Sequence, residues 1–322
     1  MKYVVPDNGI KDRTERKAVF YFARTEVLMK RILEYRINSA DDGRTIKDFL
    51  TNRCRMSGTL IKNLKMYDDG ITVNGERKFV THALHNGDML KISIYDEPSE
   101  NIIPVKLDFE VIYEDEDIII VNKPPHMPTH PSPGNIDNTL ANALMYYWRE
   151  KGEEHVFRAV NRLDKDTSGV MFIAKNSYSH ALLCDEIKTH TLKRRYTAIV
   201  CGTLTGEGTI CEPIKRESFI KRCVAEDGQR AVTHYKAIET KGSYSLVSLE
   251  LETGRTHQIR VHMSHIGCPL LGDWLYGEEN HSLFDRQALH SCYLEFVHPI
   301  SKEKMEFHSE LYPDMRDFWD KL

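Results

Sequence analysis

The chain has 322 residues, more than one compact domain usually holds, which predicts a large domain with a smaller companion. Hydrophobic residues make up 41% and charged residues 29%, so the composition excludes a disordered or fibrous protein. The net charge of −4 does not by itself indicate a nucleic-acid partner.

No apolar run is long enough to cross a bilayer, and the N-terminus lacks a signal-peptide pattern. The seven cysteines are scattered and never spaced as CxxC, which argues against a disulfide framework and a thiolate zinc site. We therefore expect a cytoplasmic protein with reduced thiols and no membrane anchor.

The charges are unevenly distributed along the chain. Residues 96–117 contain nine acids and one lysine. Residues 44–65 contain a single acid and six basic residues, namely Arg44, Lys47, Arg53, Arg55, Lys62 and Lys65. Such a basic stretch fits either a solvated face or a surface that binds RNA phosphates.

Residues 1–34 form an N-terminal extension, in which the mixed charged and apolar residues 16–33 are compatible with a helix. A compact unit follows over residues 35–95. It has a first amphipathic helix from Ile46, a second helix capped by Ser57, an Asn74-Gly75 hairpin turn, and an alternating strand over residues 89–94.

This order of elements resembles the S4 RNA-binding domain, whose short helix pair precedes a hairpin with a Val-Asn-Gly turn and a later Gly-Asp. The sequence departs from that domain at Arg44-Thr45-Ile46, where Arg-Leu-Asp is common. The resemblance implies a small α/β domain whose six basic residues contact RNA. Residues 96–106, acidic and with two prolines, are predicted to be a linker.

Residues 107–322 form the larger domain. We predict a hairpin from residues 109–113 and 118–121, further strands over 169–174, 196–200 and 244–251, and helices over 140–148, 177–188 and 256–266. Strands joined by both hairpins and helices indicate an α+β fold rather than a doubly wound parallel sheet.

Three segments of this domain carry the residues suited to chemistry. The first, residues 161–169, places Asp164 in a polar turn between apolar strands, and its spacing alone is typical of a turn that caps backbone amides. The second, residues 193–198, puts Tyr196 beside a run of cations. The third, residues 251–262, places Arg255 after a strand and a glycine, where an arginine can hold a carboxylate by two hydrogen bonds and keep it ionised.

In this order the three segments resemble the RluA-type family of RNA pseudouridine synthases. The match rests on Arg-Leu-Asp-x-x-Thr-Ser-Gly at 162–169 and Thr-Gly-Arg-Thr-His-Gln-Ile-Arg at 253–260, and covers about residues 107–310. It implies a mixed, mainly antiparallel sheet. Asn161 departs from the family, which commonly has histidine there.

The resemblance also implies roles for individual residues. Asp164 matches the essential aspartate, and Arg255 matches its basic partner. Tyr196 matches the tyrosine that packs on the flipped uracil, and Arg162 an arginine that enters the RNA stack where the base has left. The aspartate acts as nucleophile or as base, and Tyr196 or a water accepts the proton from C5.

No cofactor is expected, since the reaction needs neither redox chemistry nor a nucleotide. No metal site is expected either, because His257 and His262 are five residues apart and do not share a helix face well. The rival interpretations are an inactive RNA-binding protein and a glycoside or nucleoside hydrolase, which would need a second acid opposite Asp164. Large-subunit ribosomal RNA is the favoured substrate, with transfer RNA as the alternative, and a monomer is the default.

Overall fold

The computed structural model describes residues 29–97, 102–277 and 283–322. We call residues 29–97 the small unit and the remaining described residues the large unit. Each unit is built on its own β-sheet. Within the described ranges, no helix is both long and apolar enough to span a bilayer.

The small unit has a four-stranded antiparallel sheet in the order β1-β4-β2-β3. Its strands are β1 (Met29–Arg36), β2 (Ile71–Val73), β3 (Glu76–Arg77) and β4 (Met89–Asp96). Helix α1 (Ile46–Asp48) continues into a π-helical turn over Phe49–Arg53, and helix α2 (Gly58–Leu64) follows. The apolar sides of these helices and of the sheet form one core.

Local signals placed most of these elements correctly. The Ser57 hydroxyl accepts a hydrogen bond from the amide of Leu60 at 3.1 Å, which confirms it as the N-cap of α2. Asn74 and Gly75 have φ values of 53° and 86°, the left-handed conformations that a tight hairpin turn requires.

The N-terminal boundary of the small unit differs from the prediction. Met29–Arg36 is a strand that pairs with β4 along its whole length, so the predicted boundary at residue 35 falls inside β1 and residues 29–33 are not helical. Long-range pairing decides the conformation here, which the local pattern did not reveal. The predicted helix over residues 16–28 lies outside the described residues. Asp96, placed in the linker by the sequence, ends β4.

The large unit is organised by a ten-stranded sheet. Eight of its strands follow the order β10-β13-β14-β9-β15-β8-β6-β5, while β16 pairs with β15 and β7 pairs with β8. Its strands are β5 (Glu110–Glu114), β6 (Ile118–Lys123), β7 (Arg158–Ala159), β8 (Ser168–Ala174), β9 (Lys193–Cys201), β10 (Glu207–Ile210), β13 (Thr233–Lys241), β14 (Tyr244–Leu251), β15 (Leu289–Val297) and β16 (Lys304–His308). A separate hairpin consists of β11 (Ile214–Arg216) and β12 (Arg222–Val224).

Four helices accompany this sheet: α3 (Leu140–Glu150), α4 (Ser177–Lys188), α5 (Gln258–His265) and α6 (Pro313–Asp320). All strand pairs of the large sheet are antiparallel except β8 with β15. The predicted α+β fold with a mixed, mainly antiparallel sheet is therefore confirmed for the large unit.

The parallel pairing of β8 with β15 fixes the start of β8 closely against its neighbour. Gly169 has φ +113°, and a Cβ atom there would lie 2.2 Å from the carbonyl oxygen of Ser291. Only glycine tolerates both this backbone conformation and this approach. The chain just before β8, which carries Asp164, is thus held against β15.

Helix α4 connects the two units. Its residues Tyr178 and Leu182 belong to the apolar core of the small unit, and the Tyr178 hydroxyl donates to the carbonyl of Cys54 at 2.5 Å. A second contact joins Arg31 of β1 to Asp117 by two hydrogen bonds of 3.1 and 2.7 Å. The small unit therefore packs directly on the large unit.

Candidate active site

A cleft of about 650 Å³ opens beside the segment that precedes β8. Its walls come from the chain after β7, the C-terminal end of α4, the start of β9, and the segment between β14 and α5. The charged residues that line it are mostly cations: Arg162, Asp164, Lys188, Arg194, Arg230, Glu252, Arg255 and Arg260. A cleft with this charge attracts a polyanion such as RNA.

Asp164 lies in a loop over residues 161–167, which we call the Asp164 loop. Its side chain is 29% exposed and borders the cleft. The loop is closed by a hydrogen bond from the amide of Thr167 to the carbonyl of Asp164 at 3.1 Å. Asn161, which replaces the expected histidine, is buried and accepts a hydrogen bond from the amide of Phe172 at 3.2 Å. It therefore anchors the loop to β8.

Two buried basic side chains hold the carbonyls that follow Asp164. The Nζ atom of Lys123 donates to the carbonyl of Lys165 at 3.0 Å, and burial lowers the pKa of this lysine to about 7. The guanidinium of Arg286 donates to the carbonyl of Asp166 at 2.9 Å and forms two further bonds, of 2.7 and 2.8 Å, to Asp314 of α6. Both side chains are almost fully buried, so the backbone beside Asp164 is rigidly positioned.

The cation that faces Asp164 is Arg260. Its Nη1 atom lies 3.4 Å from Oδ2 of Asp164, while its Nε and Nη2 atoms donate to Asp273 at 2.7 and 2.8 Å. Burial lowers the pKa of Arg260, but the hydrogen bonds to Asp273 together with the nearby negative charges of Asp273 and Asp164 outweigh burial and raise it. Arg260 is thus a fixed positive charge beside the carboxylate of Asp164.

The prediction that Arg255 holds Asp164 is not met by this geometry. Arg255 is exposed, and its Nε atom donates to the carbonyl of Arg230 at 3.0 Å. The physical reason is the left-handed turn at His257, with φ 59°, which starts α5 and directs a residue of that helix towards the aspartate. The partner is therefore the second arginine of the same motif, five residues later. Arg255 still borders the cleft.

His257 adds a second nitrogen near the aspartate. Its Nε2 atom lies 3.7 Å from Oδ2 of Asp164, and its Nδ1 atom is 2.9 Å from the hydroxyl of Tyr276. Burial lowers the pKa of this histidine, so the neutral imidazole predominates at neutral pH.

Tyr196 lies in β9 on the floor of the cleft and is 5% exposed. Burial raises the pKa of its phenol, so the hydroxyl stays protonated at neutral pH. Its placement beside Asp164 offers an aromatic surface to a ligand in the cleft. Arg162, two residues before the aspartate, is exposed on the cleft wall.

The six predicted RNA-binding residues of the small unit are partly engaged within the protein. Arg44 forms ion pairs with Asp41 and Asp48, at 3.4 and 3.2 Å, and Arg55 forms one with Asp185 of α4. The side chains of Lys47, Arg53, Lys62 and Lys65 are exposed. None of the six residues lines the cleft.

The histidines considered as metal ligands have other partners. His262 contacts the hydroxyl of Thr233 and the carbonyl of Glu212, both at 2.9 Å. Elsewhere in the described residues, Asp115, Asp117 and His298 lie within metal-binding distance of one another. Asp117 already accepts hydrogen bonds from Arg31, and Asp115 accepts hydrogen bonds from the amides of Asp117 and Ile118, so both carboxylates are engaged by the protein.

Sequence reasoning missed four residues that organise the site. Lys123 and Asp273 lie outside the segments at 162–169 and 253–260, and the sequence pattern predicted no role for either residue. Arg260 lies in the same segment as Arg255, residues 253–260, and the resemblance implied the role of partner for Arg255 only. Arg286 gave no local signal, because its contacts come from the Asp164 loop, β15 and α6.

The arrangement combines a carboxylate held by a buried guanidinium, an aromatic floor, and a cationic rim. Within the residues that line the cleft, Glu252 is the only other carboxylate, and it is engaged by Arg230 at 3.0 Å and His234 at 3.0 Å. A hydrolase that uses two opposed acids would need a free second carboxylate. The site is instead suited to one carboxylate acting on a ligand stacked against Tyr196.

Comparison with known proteins shows which family the chain belongs to. A family model described as RNA pseudouridylate synthase matches residues 117–265. The uncharacterized RNA pseudouridine synthase YjbO of Bacillus subtilis is 39% identical over 275 residues, which are 84% of this chain and 96% of the relative. A ribosomal large subunit pseudouridine synthase D from Buchnera aphidicola is 42% identical over 245 residues, covering 70% of this chain and 78% of the relative.

A second protein with the latter name, from Haemophilus ducreyi, is 36% identical and covers 90% of this chain and 92% of its own length. Among solved structures, human RNA pseudouridylate synthase domain containing 1 superposes with a TM-score of 0.53 at 27% identity, covering 66% of this chain and 86% of the other.

Proposed function

Since this chain belongs to the RNA pseudouridine synthase family, whose members are isomerases, we propose that it converts uridine to pseudouridine in large-subunit ribosomal RNA with Asp164 as the catalytic carboxylate. Membership of this family means that the substrate is RNA. We propose the class of RNA and the roles of the individual residues.

The observation that carries the proposal is the position of Asp164, partly exposed in a cationic cleft and 3.4 Å from the buried guanidinium of Arg260. The positive charge beside this carboxylate is held in place by Asp273, so it stays next to Asp164 when RNA fills the cleft and displaces water. A carboxylate in this position can act as the nucleophile or as the base.

The proposed reaction needs the target base outside the RNA stack, at a cost of a few kcal/mol. Arg162 fills the vacated space and Tyr196 packs against the uracil, which offset part of that cost. The bond between C1′ and N1 then breaks, the uracil rotates, and C1′ joins C5. The proton lost from C5 passes to a water, because the buried phenol of Tyr196 is itself protonated at neutral pH and cannot accept it. N1 gains a proton, so the product is an isomer of the substrate.

Ribosomal RNA is proposed on two grounds. Several relatives at about 40% identity carry the name ribosomal large subunit pseudouridine synthase D. The small unit adds a cationic surface outside the cleft, which suits a large structured RNA. We propose that this unit is an S4-like domain whose exposed residues Lys47, Arg53, Lys62 and Lys65 bind RNA phosphates. Arg255 and Arg230 contact the RNA backbone at the mouth of the cleft.

The test is a map of pseudouridine in the RNA of a strain that lacks this protein, compared with its parent. We expect specific positions of large-subunit ribosomal RNA to lose the modification and to regain it when the wild-type gene is restored. A loss confined to transfer RNA would overturn the proposed substrate but retain the reaction. Identical maps in the two strains would contradict the proposed function.

A further inference from the structure

Arg194 is a buried cation in the cleft without a counter-ion. Its side chain belongs to a residue that is only 7% exposed, and its Nε atom is fully buried without a hydrogen-bond partner. Among the described residues, no carboxylate lies within ion-pairing distance of it. Every other strongly buried arginine or lysine discussed above has carboxylate or carbonyl partners.

The strand geometry directs this guanidinium into the cleft. Residues of β9 alternate between buried and exposed, so Arg194 and Tyr196 project from the same face and Arg195 from the other. Arg194 and Tyr196 both line the cleft. Arg195 instead stacks over the ring of Tyr293, at 3.8 Å from its centroid.

The absence of a side chain at Gly254 makes room for the guanidinium of Arg194. A Cβ atom at this position would lie 3.1 Å from Nη1 of Arg194, so a side chain there would crowd the guanidinium. Gly254 is also part of the cleft wall. The unpaired cation therefore borders the cavity in which the substrate is proposed to bind, rather than a closed interior space.

A buried charge is costly unless an opposite charge or hydrogen-bond acceptors compensate it. The described part of the protein supplies no such partner, so a ligand that enters the cleft must supply it. The ligand has to be an anion that accepts hydrogen bonds from the planar guanidinium group. A phosphate group meets this requirement well.

We propose that Arg194 binds a backbone phosphate of the RNA substrate, next to the uridine that packs on Tyr196. The inference rests on the proposed function, because it places RNA in this cleft. Residues two apart on a strand are separated by about 7 Å, which lets one side chain contact the base while the other contacts a flanking phosphate. Arg194 is thus a substrate-binding residue that fixes the register of the RNA strand.

The first experiment measures binding of a large-subunit ribosomal RNA transcript to the full chain over a series of salt concentrations. Arg194→Gln is the test variant, and Arg195→Gln is the matched control because it removes the adjacent cation from the opposite face of the strand. We expect Arg194→Gln to weaken binding by about tenfold and to reduce the salt slope by about one, with Arg195→Gln near wild type. Equal behaviour of the two variants would overturn the proposal.

The second experiment removes the charge from the RNA instead. A short synthetic RNA around the modified uridine is prepared with a neutral methylphosphonate linkage on the 5′ or the 3′ side of that uridine. We expect one of the two neutral linkages to weaken binding of the RNA to the wild type and to the Arg195→Gln variant. The same linkage should cause no additional loss of RNA affinity in the Arg194→Gln variant. Independent, additive losses would contradict a direct contact between Arg194 and the phosphate.

Thermal unfolding separates ligand binding from a purely structural role. Because the charge of Arg194 lacks a partner in the described residues, its replacement in Arg194→Met should raise the Tm of the RNA-free protein. A lowered Tm together with unchanged RNA affinity would assign Arg194 to the core and overturn the proposal. Failure of the proposed function would give a different result: the wild-type protein would form no pseudouridine, whatever effect Arg194→Gln has on RNA binding.

Discussion

Arg260 is shared between two carboxylates, with Nη1 at 3.4 Å from Asp164 and with Nε and Nη2 bound to the fully buried Asp273. Asp273 fixes the position of the guanidinium, and the Nη1 atom faces Asp164 at the cleft. The charge that Asp164 experiences is thus set by a residue of α5 and a carboxylate beyond it, rather than by a mobile surface arginine.

The first prediction concerns the two arginines of this motif. Arg260→Lys keeps a positive charge but cannot contact both carboxylates, so we expect kcat to fall by about a hundredfold or more with little change in RNA affinity. Arg255→Lys should leave kcat within about threefold of wild type, because Arg255 faces the carbonyl of Arg230. Single-turnover kinetics with saturating enzyme measures both. A larger loss of kcat for Arg255→Lys would contradict the assignment of the partner.

The second prediction tests whether α6 positions the Asp164 loop. Arg286→Lys loses the fork that joins Asp314 to the carbonyl of Asp166, so we expect a loss of roughly 2–4 kcal/mol in the free energy of unfolding and a lower kcat. RNA affinity should stay near wild type. Arg316→Lys, an exposed arginine on the same helix, is the matched control and should change neither quantity. A loss of affinity with normal kcat would rule out this positioning role.

Local signals and long-range contacts account for what the sequence could and could not predict. The Ser57 cap and the Asn74-Gly75 turn are decided by neighbouring residues and were therefore predictable. Strand β1 was not, because its conformation depends on pairing with β4, about 60 residues away. The motif indicated that an arginine faces Asp164, but the backbone turn at His257 determines which arginine does so. Arg286 depends on contacts from three separate elements and left no local pattern.

The third prediction is a pH dependence of stability from His290. This side chain is fully buried, with Nδ1 at 3.0 Å from the hydroxyl of Ser168, and burial lowers its pKa from 6.5 to about 4. In the unfolded chain the histidine binds its proton near pH 6.5, so the folded state loses stability as pH falls from 6.5 to 4. The contribution lost over this window is about 3 kcal/mol at most.

Urea unfolding of wild type and His290→Gln across that window measures this contribution. We expect the stability advantage of the wild type to be largest above pH 6.5 and to shrink steadily towards pH 4. His308→Gln, which replaces an exposed histidine, serves as the control and should run parallel to the wild type. A wild-type advantage that is constant with pH would show that His290 titrates normally in the folded protein.

The fourth prediction concerns the small unit. Replacing Arg53, Lys62 and Lys65 together by glutamine should weaken binding to ribosomal RNA and reduce its salt slope by about two to three, because each phosphate contact releases counterions. The turnover of RNA that is already bound should not change, since none of these residues lines the cleft. Replacing three cations elsewhere, Lys215, Lys236 and Lys304, provides a control of equal charge. Equal salt slopes for the two triple variants would contradict the S4-like assignment.

The most direct measurement of the central claim is pseudouridine formation by Asp164→Asn, which keeps the size of the side chain and removes its charge. Purified wild type and variant are incubated with unmodified large-subunit ribosomal RNA, and tritium release from labelled uridine is followed. We expect the wild type to release tritium and the variant to release none above background while it binds the RNA with near wild-type affinity. Release at a similar rate by both proteins would contradict the assignment of Asp164 as the catalytic carboxylate.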